Sequence, residues 1–324
     1  MSDTPLLSIR DLNVRYTTDN GVVQAVSGLN LTIDKGETLG LVGETGAGKT
    51  TMALSVMQLI AEPPGKITGG EILFNGKDLT KATDAQLRQV RGGEIAMIFQ
   101  DPMTSLNPIM PVDEQVAEMI GLHNKISTEE SLKRALTMLE TVGIQPERAS
   151  EYPHQFSGGM KQRVVIAMAL ACNPALLMAD EPTTALDVTI QAQVLELMKD
   201  LKKKFNTSMI MITHDLGIVA ETCDRVAIMY AGRVVEEGTT EHLYANPKHP
   251  YTKGLFASIP NVEEERESLA VISGLPPEPT NLPSGCPFHP RCDMAMERCK
   301  SEAPEPVTLC EGHMVACFLE GGTA

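Results

Sequence analysis

A short apolar run that leads into a glycine-rich loop places the strongest constraint on how this chain can fold. Leu39-Gly40-Leu41-Val42 is followed directly by Gly43-Glu44-Thr45-Gly46-Ala47-Gly48-Lys49-Thr50. A continuous apolar run of this length is typical of a strand that is covered on both faces. The loop matches the spacing G-x-x-x-x-G-K-[ST], and an apolar helical pattern follows Lys49. We therefore predict a buried strand, a tight loop and a helix, which together are a unit of an α/β fold.

The loop has the composition of a phosphate-binding site. Its three glycines allow backbone N–H groups to converge on phosphate oxygens at the positive end of a helix. Lys49 adds a full positive charge at the same place. Thr50 offers a hydroxyl group to Mg²⁺, and Thr51 beside it is a lesser candidate. The loop therefore predicts that the chain binds a nucleotide.

Two acidic residues, Asp180 and Glu181, follow a second apolar run. Because Asp180 ends a predicted strand, we expect its carboxylate at the C-terminal edge of the sheet, beside the phosphates. There it can hold Mg²⁺ through water. Glu181 lies one residue further on and points in a different direction. The pair therefore extends the predicted nucleotide site with a site for the metal ion.

A second glycine-led helix start lies more than a hundred residues after the loop, at Ser157-Gly158-Gly159-Met160. A hydroxyl group and two glycines at a helix N-terminus again expose N–H groups that suit an anion. One chain with one phosphate-binding loop has no evident need of a second such site. The arrangement is explained if this helix start binds the nucleotide of another subunit.

Length and charge limit the class of protein. A chain of 324 residues with 42% hydrophobic residues suits one large α/β domain with an appendage, or two modest domains. No window holds 18 uncharged apolar residues, and residues 1–5 lack the basic start of a secretory signal. We therefore expect a cytosolic chain whose membrane role comes through a partner. A net charge of −15 disfavours nucleic acid as a partner.

The order of the patterns predicts how the chain is organised. Alternating residues before position 34 predict antiparallel strands, and residues 103–170 have a helical period. Within the first domain we also predict a helix from Lys49 to just before Pro63, and another over Val188 to Leu201. We predict a nucleotide-binding domain over residues 1–255, with a helical subdomain at about 103–170. A proline-rich linker and a C-terminal extension follow over residues 256–324.

Taken together, these motifs resemble the ATP-binding subunits of ABC transporters. The resemblance implies a P-loop NTPase (ABC ATPase) core of the α/β class with an antiparallel β subdomain, a helical subdomain insert and a small cysteine-rich C-terminal extension. It also implies roles for single residues. Glu181 would polarise the attacking water, Gln100 would reach Mg²⁺ or that water, and His214 would contact the γ-phosphate. Tyr16 would lie against the adenine ring.

The same resemblance implies a head-to-tail dimer with two ATP molecules between the subunits. The helix start at Ser157 would then bind the partner's nucleotide, and Asp187 matches the loop that crosses the dimer interface. Phe156 and Met160 depart from the common signature but remove no N–H donor. The complete nucleotide-binding set expected is Tyr16, Gly43, Glu44, Thr45, Gly46, Ala47, Gly48, Lys49, Thr50, Thr51, Ser157, Gly158, Gly159 and Asp187, with Mg²⁺ held by Thr50, Gln100 and Asp180.

Two further segments resemble a narrower group, the ATPase subunits of dipeptide, oligopeptide and nickel importers. They are Phe99 to Pro108 and Asn246 to Thr252. This resemblance implies a second ATP-binding subunit, usually a paralogue, two membrane permeases and an extracellular solute-binding protein. It places the subunit at the cytoplasmic face of the membrane, with peptides as cargo. Nickel or another small solute is the alternative cargo, and a non-transport ABC ATPase acting on ribosomes or DNA is a competing hypothesis.

Five of the seven cysteines lie between positions 286 and 317, which in a cytosolic protein suggests a metal site. Cys310 is a spare or alternative ligand, and His289 and His313 keep a mixed-ligand site possible. Zinc remains an alternative, although no C-x-x-C pair is present, and free or oxidised thiols are a third interpretation. The spacing C-x5-C-x6-C-x17-C resembles the [4Fe–4S] pattern of the importer ATPases, and it assigns the cluster to Cys286, Cys292, Cys299 and Cys317.

Overall fold

The computed structural model of the protein describes residues 4–184, 186–258, 272–310 and 312–320. The strands are β1 Leu7–Thr18, β2 Gly21–Ile33, β3 Thr38–Val42, β4 Gly65–Phe74, β5 Lys77–Asp78, β6 Ile95–Ile98, β7 Leu176–Asp180, β8 Ser208–Thr213, β9 Arg225–Tyr230, β10 Arg233–Thr239, β11 Val307–Cys310 and β12 His313–Val315. The α-helices are α1 Lys49–Val56, α2 Asp84–Val90, α3 Pro102–Ser105, α4 Val112–Asn124, α5 Thr128–Thr141, α6 Gly158–Leu170, α7 Val188–Phe205, α8 Leu216–Thr222, α9 Thr240–Ala245, α10 Pro250–Ala257 and α11 Arg298–Ser301.

The chain divides into two compact units. Unit 1 consists of Met1–Ile33, Leu39–Thr80 and Thr213–Ala324, and unit 2 of Asp34–Thr38 and Lys81–Ile212. The described residues after position 255 therefore belong to the same unit as the glycine-rich loop. The predicted domain bounds at residues 255 and 256 do not coincide with these divisions, and they stay a prediction.

Unit 1 contains an antiparallel sheet of four strands in the order β2-β1-β4-β5. The register pairs Leu7 with Ile33, and both side chains are buried because one face of the sheet packs into the core. A second sheet in this unit contains β3, parallel to β9, and the hairpin β9–β10 that turns at Ala231 and Gly232. The strands expected from the alternating and the continuous apolar patterns are confirmed in this unit.

The C-terminal residues extend the second sheet, which the sequence patterns did not predict. β12 pairs antiparallel with β10, and β11 pairs with β12. A fully buried carboxylate on β10, Glu236, fixes this arrangement. It accepts the N–H groups of Lys248 at 2.7 Å and His249 at 2.9 Å, and it contacts His313 Nε2 at 2.8 Å. One acidic side chain thus joins three segments of unit 1.

Unit 2 contains the parallel strands β6, β7 and β8, with β7 in the middle. Helices α3 to α6 lie between β6 and β7 in the chain, in the range where a helical period was predicted. α5 ends at Thr141, and Gly143 follows its C-cap with φ 83°. α7 continues to Phe205, beyond the predicted Leu201, and lysines occupy its last turn, where the helix dipole favours cations. None of the helices in the described part of the chain is suited in length and polarity to cross a bilayer.

The predicted length of α1 is wrong. The helix ends at Val56, whereas the apolar pattern predicted that it would continue almost to Pro63. Gln58 adopts a left-handed backbone with φ 52°, and the N–H of Leu59 bonds to the carbonyl of Leu54 at 2.8 Å. This six-to-one bond closes the helix as in a Schellman motif. Leu59 is consequently 40% exposed and does not extend the buried face.

Candidate nucleotide-binding site

The glycine-rich loop in unit 1 is shaped by close approach of other backbone segments. A Cβ atom on Gly43 would lie 2.2 Å from the carbonyl oxygen of Met229. A Cβ atom on Gly48, which has φ +98°, would lie 2.3 Å from the carbonyl oxygen of Ala25. Only glycine fits at either position. The loop is therefore held against β2 and β9, and its chain path cannot be kept with larger residues.

Lys49 lies at the start of α1 and is only 8% exposed. Its Nζ donates to the carbonyl oxygens of Gly43 at 2.6 Å and Glu44 at 3.1 Å, so the ammonium group lies over the loop. Thr50 and Thr51 follow in the first turn of α1. The loop, the lysine and the helix N-terminus therefore have the arrangement that phosphate oxygens require.

Two residues outside the expected set contact this loop. The N–H of Glu44 donates to Tyr251 Oη at 3.0 Å, and the carboxylate of Glu44 pairs with Arg291. Sequence reasoning missed both residues in this role. Tyr251 belongs to the segment Asn246 to Thr252, which was used only to identify a group of relatives. Arg291 precedes Cys292 in the cysteine-rich region, where the cysteines were the signal.

In unit 2, Glu181 directly follows β7 and has a left-handed backbone with φ 48°. A non-glycine residue in this region is uncommon and often marks a functional site. Its N–H donates to the carbonyl of Ile212 at 2.8 Å. Its carboxylate accepts from Gln100 Nε2 at 2.9 Å and from Thr184 Oγ1 at 3.0 Å. The structure thus brings together two of the predicted residues, Gln100 and Glu181, next to the buried Asp180.

The second glycine-led helix start is the N-terminus of α6 in unit 2. Ser157 caps the helix, and its Oγ accepts from the N–H of Met160 at 3.4 Å. Gly158 is exposed at the first helical position. A Cβ atom on Gly159 would lie 2.4 Å from Cγ2 of Ile190 in α7. Gly159 therefore also allows two helices to pack closely, a role that the sequence analysis did not consider.

The remaining predicted residues lie at the ends of strands and helices. Asp187 caps α7, with Oδ1 accepting from the N–H of Ile190 at 3.0 Å. His214 is exposed directly after β8. Tyr16 lies on β1, and its ring packs so closely on Gly65 that a Cβ atom there would lie 2.7 Å from Tyr16 Cε1. Each of these positions is compatible with the predicted role, which stays a prediction.

The cysteine-rich region of unit 1 contains one narrow cavity. All seven cysteines lie in the described residues and none forms a disulfide. Burial raises the pKa of the Cys286 thiol to about 11. Cys310 is exposed and does not line the cavity. Of the two histidines considered as ligands, His289 lines the cavity and His313 does not. His249 also lines it. The four predicted cluster ligands do line it, and they are Cys286, Cys292, Cys299 and Cys317.

The described residues include no group of three or more His, Cys, Asp or Glu side chains arranged to hold a metal ion. Four of the cysteine thiols nevertheless line one cavity. The absence of such a group among the described residues does not support the prediction of a metal cofactor.

Comparison with known proteins places the chain in a family. Residues 26–184 match the family described as ABC transporter, and residues 235–299 match the one described as Oligopeptide/dipeptide transporter, C-terminal region. The oligopeptide transport ATP-binding protein OppD of Bacillus subtilis is 54% identical over 98% of this chain and 89% of its own length. This chain belongs to the ATP-binding proteins of the ABC transporter family. The first resemblance seen in the sequence is thereby confirmed.

Other members of the family agree with this assignment. The dipeptide transport ATP-binding protein DppD of Bacillus subtilis is 49% identical over 97% of this chain and 95% of its own length. Among solved structures, a dimeric post-hydrolysis state of the ATP-binding cassette MJ0796 with ADP and Pi has a TM-score of 0.65 and 29% identity. It covers 72% of this chain and 98% of its own. The ABC ATPase fold predicted from the motifs is therefore confirmed.

Proposed function

We propose that this protein is the ATP-hydrolysing motor subunit of an ABC importer for dipeptides and oligopeptides. The observation that carries the proposal is the position of Glu181, a carboxylate directly after the strand that ends in Asp180. Gln100 and Thr184 hold this carboxylate in place with bonds of 2.9 and 3.0 Å. A fixed carboxylate at such a point orients and polarises a water molecule for attack on a phosphoryl group.

The other residues of the site bind and orient the triphosphate. The loop Gly43 to Thr50 surrounds the phosphates with N–H groups and the Lys49 ammonium, Tyr16 stacks on adenine, and His214 contacts the γ-phosphate. Thr50, Gln100 and Asp180 are the residues that would hold Mg²⁺. Their hydroxyl, amide and carboxylate oxygens fit this ion by donor type, and when bound it neutralises charge on the phosphate oxygens.

Ser157, Gly158 and Gly159 bind the nucleotide of a second subunit, and Asp187 contributes at the same interface. Gly158 supports this role because it is exposed at the N-terminus of α6, where the helix dipole favours an anion. The relative described as a dimeric ATP-binding cassette is in accord with such an assembly. ATP binding then closes the dimer and hydrolysis reopens it.

The substitution Glu181→Gln tests the hydrolytic role. It removes the charge that polarises water but keeps the shape of the side chain, so we expect ATP to remain bound and the closed dimer to accumulate. Loss of hydrolysis should be on the order of 10²–10⁴-fold, as is usual for a general base. The matched control is Glu196→Gln on the exposed face of α7, which should hydrolyse ATP normally. Unchanged steady-state hydrolysis by the Glu181 variant would refute the role.

Peptides are the proposed cargo because the match to the peptide-transporter C-terminal region is combined with high identity to the ATP-binding proteins of peptide transporters. The partners are a second ATP-binding subunit, which family analogy makes a paralogue, and two membrane permeases, with an extracellular binding protein acting indirectly. The subunit is then peripheral at the cytoplasmic face of the membrane. Helices α3 to α6 form the helical subdomain, and the segment after Gln100 contacts the permeases.

Reconstitution distinguishes peptide from nickel as cargo. The transporter is assembled in vesicles from this subunit, its partner ATPase and two permeases, and ATP hydrolysis is measured with the binding protein outside. Stimulation by peptide-loaded binding protein supports the proposal. Stimulation by nickel alone, without a response to any peptide, would assign the motor to the alternative importer.

We also propose that the cysteine-rich region holds a [4Fe–4S] cluster on the four thiols that line the cavity. Four thiolates are the usual donor set, and each binds a different iron, so they lie further apart than around a single zinc ion. The support in this structure is that four cysteine thiols of this region line the same cavity. The cavity measures about 20 Å³, so the lining side chains must move outward when a cluster binds.

Anaerobic purification with iron and sulfide analysis tests this proposal. We expect about four iron and four sulfide atoms per chain, and a broad absorbance that is lost on air oxidation. Cys299→Ser should lose most of the iron, whereas Cys310→Ser is the matched control and should keep it. Stoichiometric zinc without sulfide would assign the site to zinc, and a metal-free chain would refute both.

A further inference from the structure

One ion pair ties the glycine-rich loop to the cysteine-rich region. Arg291 Nη1 lies 2.7 Å from Glu44 Oε2, and Nη2 lies 3.0 Å from Oε1. The two residues are separated by 247 positions in the sequence. The Arg291 side chain is 5% exposed and that of Glu44 is 26% exposed. A bidentate ion pair of this kind fixes the orientation of the carboxylate as well as its distance from the guanidinium group.

Arg291 is itself held from several sides. Its Nε donates to the carbonyl of Ser273 at 3.0 Å, and Nη1 donates to Tyr230 Oη at 3.3 Å. The guanidinium group lies 5.9 Å from the ring centre of Tyr230 and 6.0 Å from that of Phe288. The arginine is therefore preorganised before it contacts the loop, which reduces the entropy lost in each hydrogen bond.

The main chain of Glu44 is held as well as its side chain. Its N–H donates to Tyr251 Oη at 3.0 Å, and Tyr251 is fully buried. The Tyr251 ring packs against two other rings, with its centre 4.6 Å from the ring centre of Tyr230 and 5.4 Å from that of Phe288. Arg291 and Tyr251 thus form a clamp on the second residue of the loop.

The position of Glu44 explains what such a clamp does. Its carbonyl accepts from Lys49 Nζ, so the peptide orientation at Glu44 helps to set the ammonium group that faces the phosphates. Its carboxylate would otherwise be an unpaired negative charge next to a triphosphate, and like charges at this range repel. Arg291 neutralises that charge.

We propose that Arg291 is a positioning residue for ATP, which acts through Glu44 and makes the cysteine-rich region part of the nucleotide site. The inference rests on the proposed function in that ATP is the ligand of the loop. It assigns to Arg291 a role that neither the loop motif nor the cysteine pattern contains. In this proposal Arg291 acts only through Glu44, and no direct contact with the nucleotide is assigned to it.

A double-mutant cycle on the full chain tests the inference. The variants are Arg291→Ala, Glu44→Ala and the double variant, with the dissociation constant of Mg–ATP measured by titration calorimetry. We expect Arg291→Ala to weaken ATP binding about tenfold, the scale of a lost charge-assisted hydrogen-bond pair. In the Glu44→Ala background the same change should weaken binding less than about twofold, because no carboxylate remains to be held.

Hydrogen exchange supplies a second readout that does not depend on activity. Amides of residues 43–50 should exchange faster in Arg291→Ala than in the wild type, because the clamp no longer holds the loop. Lys300→Ala is the matched control, since Lys300 is a cation of the same region that pairs with Glu297 in solvent. Arg291→Lys keeps the charge but cannot make both hydrogen bonds to the Glu44 carboxylate. It should lose ATP affinity and loop protection to an intermediate extent, and it serves as the test variant if Arg291→Ala does not fold.

The outcomes separate the inference from the proposed function. If the wild type binds no ATP, the proposed function is refuted, and the clamp inference that rests on it is refuted with it. If the wild type binds ATP but Arg291→Ala matches it in affinity and in exchange, the inference is overturned. An equal loss with and without Glu44, or an equal loss in Lys300→Ala, would also overturn it, because either result assigns Arg291 a general structural role.

Discussion

At the scale of single residues, His249 is a buried base whose ionisation the fold opposes. It is 1% exposed, and its Nδ1 accepts from the N–H of Tyr251 at 3.1 Å at the start of α10. Nδ1 can accept only if it carries no proton, and burial lowers the pKa of His249 to about 3. The ordinary histidine pKa is about 6.5. Below that pH the unfolded chain takes up a proton that the folded chain excludes, so stability falls as pH falls from 6.5 towards 3.

We predict that this one histidine lowers the free energy of unfolding by about 1.4 kcal/mol between pH 7.5 and 5.5. His249→Asn does not titrate, and its side-chain oxygen can still accept at the helix start. The wild type should therefore lose about 1.4 kcal/mol more than this variant when urea unfolding is compared at the two pH values.

The exposed His154 provides the control for that comparison. His154→Asn makes the same substitution at an exposed position, so it shows how far an asparagine replacement by itself changes urea unfolding at the two pH values. Parallel pH profiles for the wild type and His249→Asn would contradict the burial argument.

At the scale of secondary-structure elements, the contact between α6 and α7 depends on one missing methyl group. A Cβ atom on Gly159 would lie 2.4 Å from Ile190 Cγ2, whereas one on Gly158 would lie 3.7 Å from its nearest neighbour. Gly159→Ala should lower the free energy of unfolding by roughly 1–3 kcal/mol, the usual cost of overpacking. Gly158→Ala should change it by less than about 0.5 kcal/mol. Thermal or urea unfolding of both variants measures the difference.

A rescue variant shows whether the cost comes from that contact. Adding Ile190→Ala to Gly159→Ala removes the opposing methyl group and should recover the packing part of the loss. Equal stabilities for the two glycine variants, or no coupling between Gly159 and Ile190, would show that the close approach does not limit packing here.

The elements also show what could be predicted from sequence. Local patterns were sufficient for β3 and for the start of α1, because buried strands and glycine-rich loops have short-range signatures. The end of α1 was missed, since Gln58 has no special tendency towards the left-handed backbone that closes the helix. β11 and β12 were missed because their strand character depends on pairing with β10, far away in the chain. In the site, the motif residues were predictable, but the contact of Arg291 with Glu44 depends on tertiary structure alone.

At the scale of the whole molecule, unit 1 combines segments from both ends of the chain, and Glu236 joins three of its C-terminal segments. Its carboxylate is 0% exposed and bonds to the N–H groups of Lys248 and His249 and to the ring of His313. The first two bonds fix the segment before α10, which carries Tyr251. The third fixes β12, the strand that attaches the C-terminal residues to the sheet.

Removal of this carboxylate should therefore loosen the C-terminal region and destabilise unit 1. We predict that Glu236→Ala lowers the free energy of unfolding by about 3–5 kcal/mol, because three polar groups, two of them in buried residues, lose their partner. Glu236→Gln should lose less, since one amide oxygen can still accept. Limited proteolysis should cut the alanine variant after position 300 sooner than the wild type. Glu241→Ala, an exposed acid at the start of α9, controls for loss of charge, and equal effects in the two alanine variants would refute a specific tether.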